Sequence, residues 1–147
     1  MHRADGRWRL YAFADAVDPR TGGSRFVQLM DFLASDASPV AKHTPQDWAQ
    51  DGVFDVRGII QQSHLDVDWW EMPDFLKPLV GKFELTDYEK CFAPVDDRDR
   101  DIFDMQGIDR GLGALVVVRP DQHVAQVLPL DAYDELTGFF AGFMNEV

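Results

Sequence analysis

The sequence has a single cysteine, Cys91, so no disulfide can form within the chain. Small secreted domains are commonly held together by several disulfides, and a lone thiol is instead typical of a cytoplasmic protein. No apolar run approaches the ~20 residues that a membrane-spanning helix needs, and residues 1–24 lack the apolar core of a signal peptide. We therefore expect a cytoplasmic protein that is neither exported nor inserted into a membrane.

Basic residues are scarce relative to acidic ones. The chain has 14 Lys and Arg against 26 Asp and Glu, which gives a formal net charge of −12 at pH 7. Such a charge repels phosphate backbones and anionic lipid headgroups, and the basic residues are scattered along the chain without forming a cluster. Nucleic acid and membrane surfaces are therefore not expected as partners.

Two motifs that carry common chemistries are missing. No Gly-x-Gly-x-x-Gly follows a predicted strand, as a dinucleotide-binding turn requires, and Gly107, Gly111 and Gly113 have a different spacing. No Gly-x-Ser-x-Gly is present either, so the nucleophile turn of the α/β-hydrolases is absent. We predict that the chain binds no dinucleotide by itself and carries no hydrolase site.

Metal ligands are also not arranged in a recognisable pattern. The alternating aspartates of 97–101 lack the Gly and Glu that complete a calcium loop, and a solvated charge run explains them better. His64, Asp66 and Asp68 would share one face of an extended segment, but a metal site needs three or four convergent ligands. The sequence therefore predicts no metal site.

Hydrophobic residues make up 46% and charged residues 27% of the 147 residues, which are the proportions of one globular domain. Trp8–Asp15 is rich in aromatic and apolar residues and predicts a buried strand. Ser24 can cap a helix whose apolar face carries Phe26, Leu29, Met30 and Leu33. Residues 53–61 predict a second strand, parallel to the first because a helix separates them.

The last third of the chain has equally clear patterns, whereas residues 64–94 have mixed signals and a possible strand near 83–92. A short helix is predicted over 101–108, with Ile102, Phe103 and Met105 as its apolar residues. Residues 113–119 and 123–128 predict a β-hairpin. Asp131 can then cap a final helix. Its apolar face is the stripe Tyr133, Leu136, Phe140 and Phe143.

A β-α-β half followed by a β-β-α half is the element order of the thioredoxin fold. We therefore predict an α/β protein with a mixed central sheet and flanking helices, in which residues 1–147 form a single thioredoxin-like domain. A strand begins almost at once after Met1, so we also expect the chain to be a part of a longer protein.

Four stretches of the sequence are distinctive: DGRWRLYAFAD (5–15), DYEKCFAP (87–94), DIFDMQGIDRG (101–111) and LVVVRPDQHVAQVLPLD (115–131). They resemble the C-terminal domain of the phenol 2-monooxygenase family of FAD-dependent aromatic hydroxylases, and within it the 3-hydroxybenzoate 4-monooxygenases. The likeness covers almost the whole chain and is weakest between residues 17 and 53. Its most specific part is VVVRPDQHVA followed by a final helix.

The resemblance implies a thioredoxin-like module that packs against upstream FAD- and substrate-binding domains and contributes to a homodimer. It places FAD, NADPH and the phenolic substrate in those upstream domains, so this chain would hold no cofactor and no catalytic residue. The expected role is structural, within an enzyme that hydroxylates a phenolic ring.

The sequence departs from redox-active thioredoxins at the position where their chemistry resides. Those proteins place a Cys-x-x-Cys after the first strand, where a helix N-terminus lowers the thiol pKa. Here residues 16–24 contain no cysteine, and Gly113 stands where redox members have a cis-proline before the next strand. Disulfide exchange is therefore not expected.

Two alternatives to the structural role stay open at this point. One is a stand-alone enzyme that uses Cys91 as its only redox cysteine, and the other is an adaptor that binds a protein through Trp69 and Trp70. Adjacent tryptophans do not easily both enter one small core, and aromatic anchors are enriched at interfaces. We take Trp69, Trp70 and Phe75 as candidate interface residues and expect them to support a weak homodimer.

Overall fold

The computed structural model describes residues 5–94 and 101–147. Seven strands and four α-helices follow one another in these residues, with 3-10 turns at Trp69–Glu71 and Asp74–Leu76. The strands are β1 Trp8–Phe13, β2 Phe54–Ile59, β3 Leu79–Val80, β4 Leu85–Thr86, β5 Cys91–Phe92, β6 Ala114–Val118 and β7 Val124–Leu128. The helices are α1 Arg25–Ala34, α2 Pro39–His43, α3 Ile102–Gln106 and α4 Tyr133–Ala141.

The central sheet has five strands in the order β5-β2-β1-β6-β7. Strand β1 pairs in parallel with β2 and antiparallel with β6, and β7 closes the hairpin with β6. This arrangement confirms the predicted thioredoxin-like α/β class with its mixed sheet, and it confirms the predicted parallel pair and hairpin. Strands β3 and β4 form a separate two-stranded ribbon.

One face of the sheet carries the main core. Leu10 and Ala12 of β1 point to this face and are fully buried. The predicted face of α1 is confirmed, because all four of its apolar residues are buried against the sheet. Helix α4 covers the same face with Leu136 and Phe140. Hydrophobic burial on this face is the main source of stability.

On the opposite face of the sheet, the described residues form a smaller second core. Phe13, Ile59 and Phe103 form it, with the Phe13 and Phe103 rings 5.4 Å apart in an edge-to-face arrangement. The predicted short helix is therefore present as α3, and Phe103 is its buried residue. Its other two apolar residues, Ile102 and Met105, are exposed.

Three details differ from the sequence predictions. The possible strand near 83–92 is two separate pairs of residues, β4 and β5, which belong to different sheets. Asp131 does not cap α4: the N-cap is Ala132, and no side chain caps this helix. Phe143 lies beyond the end of α4 and is 55% exposed, so it completes the predicted apolar stripe only in part.

A buried ion cluster holds the short strand β5 against the sheet. Lys90 Nζ lies 2.6 Å from Asp55 Oδ1 and 2.9 Å from Asp51 Oδ2, and Arg57 binds the second oxygen of Asp55. Burial alone raises the pKa of Asp55, but hydrogen bonds and charge from Lys90 and Arg57 outweigh it and hold that pKa below its usual range. The same carboxylates raise the pKa of Lys90 against its own desolvation.

The α4 helix provides a test of the core. Phe140 is fully buried, and its ring packs edge-on against Trp8 and Phe54. We expect Phe140→Ala to lower the free energy of unfolding by ~3–5 kcal/mol, because it leaves a large cavity. Phe143→Ala is the matched control and should cost less than half as much. Urea unfolding followed by circular dichroism measures both, and equal losses would contradict this packing.

Candidate functional site

The start of α1 is the place where redox thioredoxins carry their reactive thiolate, and here a carboxylate occupies it. Asp15 follows β1 and is 3% exposed. Its Oδ1 accepts hydrogen bonds from Ser24 Oγ at 2.8 Å and from the Phe26 backbone N–H at 3.2 Å, and its Oδ2 accepts from the Arg25 N–H at 3.2 Å. The negative charge thus lies at the positive end of the helix dipole.

Asp15, and not Ser24, therefore satisfies the first free N–H groups of α1. Ser24 has the extended backbone of an N-cap residue, but its side chain makes no capping bond and donates to Asp15 instead. The prediction of Ser24 as the N-cap was right about position and wrong about the capping group. A capping residue nine positions upstream leaves no local sequence pattern.

Gly113 lies against the backbone of Phe13 and Asp15, just before β6 begins. Its φ of +65° lies in the left-handed region, and a Cβ built on it would meet Phe13 O and come within 2.7 Å of Leu130 Cδ1 and 2.9 Å of Asp15 N. Only glycine permits this approach of the chain to the end of β1. The position that redox members give to cis-proline is thus a tight backbone contact in this chain.

Because of these contacts, the start of α1 is not available to bind an anionic ligand or to stabilise a thiolate. A helix N-terminus binds phosphate groups through its free N–H groups, but here two of them already bind the Asp15 carboxylate. The residues of this strand-to-helix turn do not fit FAD, and residues 16–24 contain no cysteine.

Cys91 lies in β5 and is partly buried. Burial raises the pKa of its thiol to about 11, and a hydrogen bond from the Phe92 backbone opposes this only in part. Desolvation is thus the dominant cause of the raised pKa of Cys91. At neutral pH the thiol is protonated and is a weak nucleophile.

Three aromatic rings meet at the surface beside the first 3-10 turn, and we call Trp69, Trp70 and Tyr88 the aromatic surface. The Trp69 ring lies 4.9 Å from the Trp70 ring and 4.6 Å from the Tyr88 ring. Trp70 is 64% exposed and Tyr88 is 59% exposed, while Trp69 is partly buried between them. Aromatic rings exposed together in this way are typical of a contact surface.

Hydrogen bonds hold the 3-10 turn that carries Trp69 and Trp70. The Asp68 carboxylate accepts from the Trp70 N–H, and the Glu71 carboxylate accepts from the Asp68 N–H, which forms a capping box. Lys77 Nζ donates to Trp70 O at 2.7 Å and lies 5.6 Å from the centre of the Trp69 ring. Local contacts thus hold the backbone from which both tryptophans project.

The third candidate interface residue lies apart from the other two. Phe75 is partly buried, packs against the main core, and lines a hollow with Trp48. Tyr88 takes the place beside the tryptophans that the sequence assigned to Phe75. Because Tyr88 is nearly twenty residues from Trp69, no sequence spacing indicates their contact.

The surroundings of the aromatic surface are acidic. Residues 64–89 contain seven acidic side chains and two lysines. An open cleft of about 890 Å³ runs beside the rings, and Asp66, Asp68 and Glu71 line it together with His64 and Cys91. Within residues 5–94 and 101–147 no group of three or more His, Cys, Asp or Glu side chains is arranged to hold a metal ion.

The structure also bears on the calcium-loop pattern and on membrane insertion. Of the three aspartates that resemble a calcium loop, Asp97 and Asp99 lie outside the described residues, whereas Asp101 caps α3 and pairs with Arg110 at 2.8 Å. In the part of the chain that the structure describes, no helix has the length and apolar character needed to cross a lipid bilayer.

Comparison with known proteins identifies the family of this chain. A model of the family "Phenol hydroxylase, C-terminal dimerisation domain" matches residues 1–147. The chain is 47% identical over 145 residues to the 3-hydroxybenzoate 4-monooxygenase of Comamonas testosteroni and 29% identical over 148 residues to an FAD-dependent monooxygenase of Aspergillus terreus. These matches cover 97% of this chain but only 23% and 24% of the two relatives.

Among solved structures, the chain resembles the thioredoxin domain of a thiol-disulfide oxidoreductase from Bacteroides vulgatus, with a TM-score of 0.56 and 15% identity. That match covers 97% of this chain and 82% of the other, and at this identity it concerns the fold alone. The family match spans all residues of the sequence, and the chain belongs to the phenol hydroxylase C-terminal dimerisation domains.

Proposed function

We propose that this chain is the structural and dimerisation domain of an FAD-dependent aromatic-ring hydroxylase of the phenol 2-monooxygenase or 3-hydroxybenzoate 4-monooxygenase type. The observation that carries the proposal is the family match over residues 1–147, combined with a span of only about a quarter of the curated relatives. In this proposal FAD, NADPH and the phenolic substrate bind in upstream domains. The present chain supplies packing surface and no catalytic group.

The occupation of the first N–H groups of α1 by Asp15 supports a structural role for this chain. A thioredoxin-like domain can bind an anionic ligand or form a reactive thiolate where the helix begins, and here the Asp15 carboxylate uses those N–H groups. The high pKa of Cys91 argues in the same direction against the one-cysteine redox enzyme. The adaptor alternative differs from our proposal only in whether the partner is part of the same polypeptide.

We assign the aromatic surface to the upstream domains of the parent enzyme. Trp70 is exposed on the turn that the capping box holds, and Tyr88 is exposed beside it, as residues covered by a partner would be. The seven acidic side chains of residues 64–89 would repel the same surface of a second copy. A neighbouring domain that presents Lys or Arg fits this surface better than self-association through Trp69, Trp70 and Phe75.

The division of labour between domains can be tested directly. We expect the isolated 147-residue chain to be colourless after purification and to retain no FAD, while the parent enzyme is yellow. Removing this domain should leave a flavin-binding protein that no longer forms dimers. Absorbance spectra and sedimentation velocity measure both properties. Stoichiometric flavin in the isolated chain, or an unchanged dimer after the deletion, would contradict the proposal.

The aromatic surface has its own test in the parent enzyme. We expect Trp70→Ala to lower the melting temperature of this domain within the full-length enzyme, because truncating an interface anchor typically costs ~2 kcal/mol or more. The same change should leave the isolated chain almost unaffected, since Trp70 is 64% exposed there.

Phe83→Ala is the matched control for this experiment, because Phe83 is 81% exposed and makes none of the ring contacts of the aromatic surface. Scanning calorimetry of both variants, in the isolated chain and in the parent, gives the comparison. If Trp70→Ala and Phe83→Ala behave alike in the parent, the aromatic surface is not covered there.

A further inference from the structure

Strand β7 lies at one end of the five-stranded sheet and carries a row of exposed apolar side chains. Val124 is 61% and Val127 is 60% exposed. Their register places them beside Val118 and Val116 of β6, so four valines share one face of the sheet. This stripe continues up to the last strand, where the backbone has no further strand partner among the described residues.

Edge strands of soluble proteins usually carry protection against pairing with another chain. Lysine, proline, an inward-pointing charge or a covering segment serves this purpose. The five residues of β7 are Val-Ala-Gln-Val-Leu and include no charge and no proline. Strand β5 at the other end is only two residues long, which is a protection in itself. The two edges of the sheet are thus built differently. Strand β7 has a register shift against β6 between Val117 and Val118, but it carries no charge or proline that would block pairing along its outer side.

The charge around β7 indicates which partner chain could pair with this strand. Residues 113–130 contain Arg119 and Asp121, whose side chains pair at 2.7 Å, and the exposed His123. This hairpin therefore has no net charge in a protein of net charge −12. Two identical copies repel each other over most of their surface, and they can approach closely where the local charge is balanced.

The shape of the neighbouring surface also suits a second copy. Leu112 is 56% exposed and borders a hollow of about 270 Å³ that Val127, Pro129 and Leu130 also line. Arg25 and Asp131 contribute one charge of each sign to the same hollow. A surface that contains both a projecting apolar side chain and an apolar hollow can complement itself about a two-fold axis.

From these observations we infer that β7 pairs in antiparallel fashion with β7 of a second copy of this chain, so that the sheet continues from one copy into the other. The two-fold axis would run through the middle of β7 and bring the two valine stripes together. This inference rests on the proposed dimerisation role and names the surface that performs it. A strand of five residues buries little area, so the isolated chain should form a weak dimer.

Val127→Lys and Val127→Glu test this surface in the 147-residue chain. Both put a charge on the open edge at an exposed position, so the fold should persist, as circular dichroism can verify. We expect each variant to raise the dimer dissociation constant at least about tenfold in sedimentation equilibrium. Using both signs of charge separates the loss of strand pairing from a change in overall repulsion.

Trp70→Ala is the matched control and should leave the dissociation constant of the isolated chain unchanged. In hydrogen exchange, the amides of residues 124–128 should become more protected as the wild-type concentration rises. A wild-type chain and parent enzyme that are both monomeric would refute the dimerisation role itself. A dimer that survives both Val127 substitutions, or that only Trp70→Ala disrupts, would refute the β7 assignment and leave the dimerisation role intact.

Discussion

The contact between the Asp15 carboxylate and the start of α1 is the interaction on which this domain depends. It joins the end of the central strand to the first helix through one side-chain and two backbone donors, of which the Ser24 and Phe26 donors are buried and the Arg25 donor is partly buried. Hydrogen bonds to a buried charge are among the stronger ones in proteins, and an unpaired buried carboxylate would be costly. The same contact removes the position at which related folds perform redox chemistry.

In our proposal, charge divides the rest of the surface into two regions with different partners. The aromatic surface lies among acidic side chains, which suits a basic neighbouring domain and disfavours a second copy. The β6-β7 hairpin is locally neutral, which allows two copies to meet despite the overall charge of −12. A domain that must contact both its own enzyme and an identical subunit needs two such surfaces. In our account the acidic excess therefore prevents the aromatic surface from binding a second copy, and it leaves the neutral hairpin as the surface where two copies meet.

Much of the fold could be predicted from the sequence because its helices and long strands have clear periodicity. The α1 face, the parallel pair and the final hairpin follow from local patterns, and the structure confirms them. Residues 64–94 were harder because β3, β4 and β5 have only two residues each and no periodicity. The cap of α1 and the contact of Tyr88 with Trp69 join residues distant in sequence, so no local pattern indicates them. The adjacency of Trp69 and Trp70 is visible in the sequence, but spacing could not separate Phe75 from them.

The free energy of unfolding of Asp15→Ala tests the central claim most directly, with Asp101→Ala as its control. Asp101 caps the five-residue helix α3 at a less buried site, so its loss should cost about 1 kcal/mol. Asp15→Ala removes the partner of three buried or partly buried donors, and our account predicts a loss of about 3 kcal/mol or more. A loss for Asp15→Ala no larger than that for Asp101→Ala would contradict the claim that this carboxylate holds the fold together.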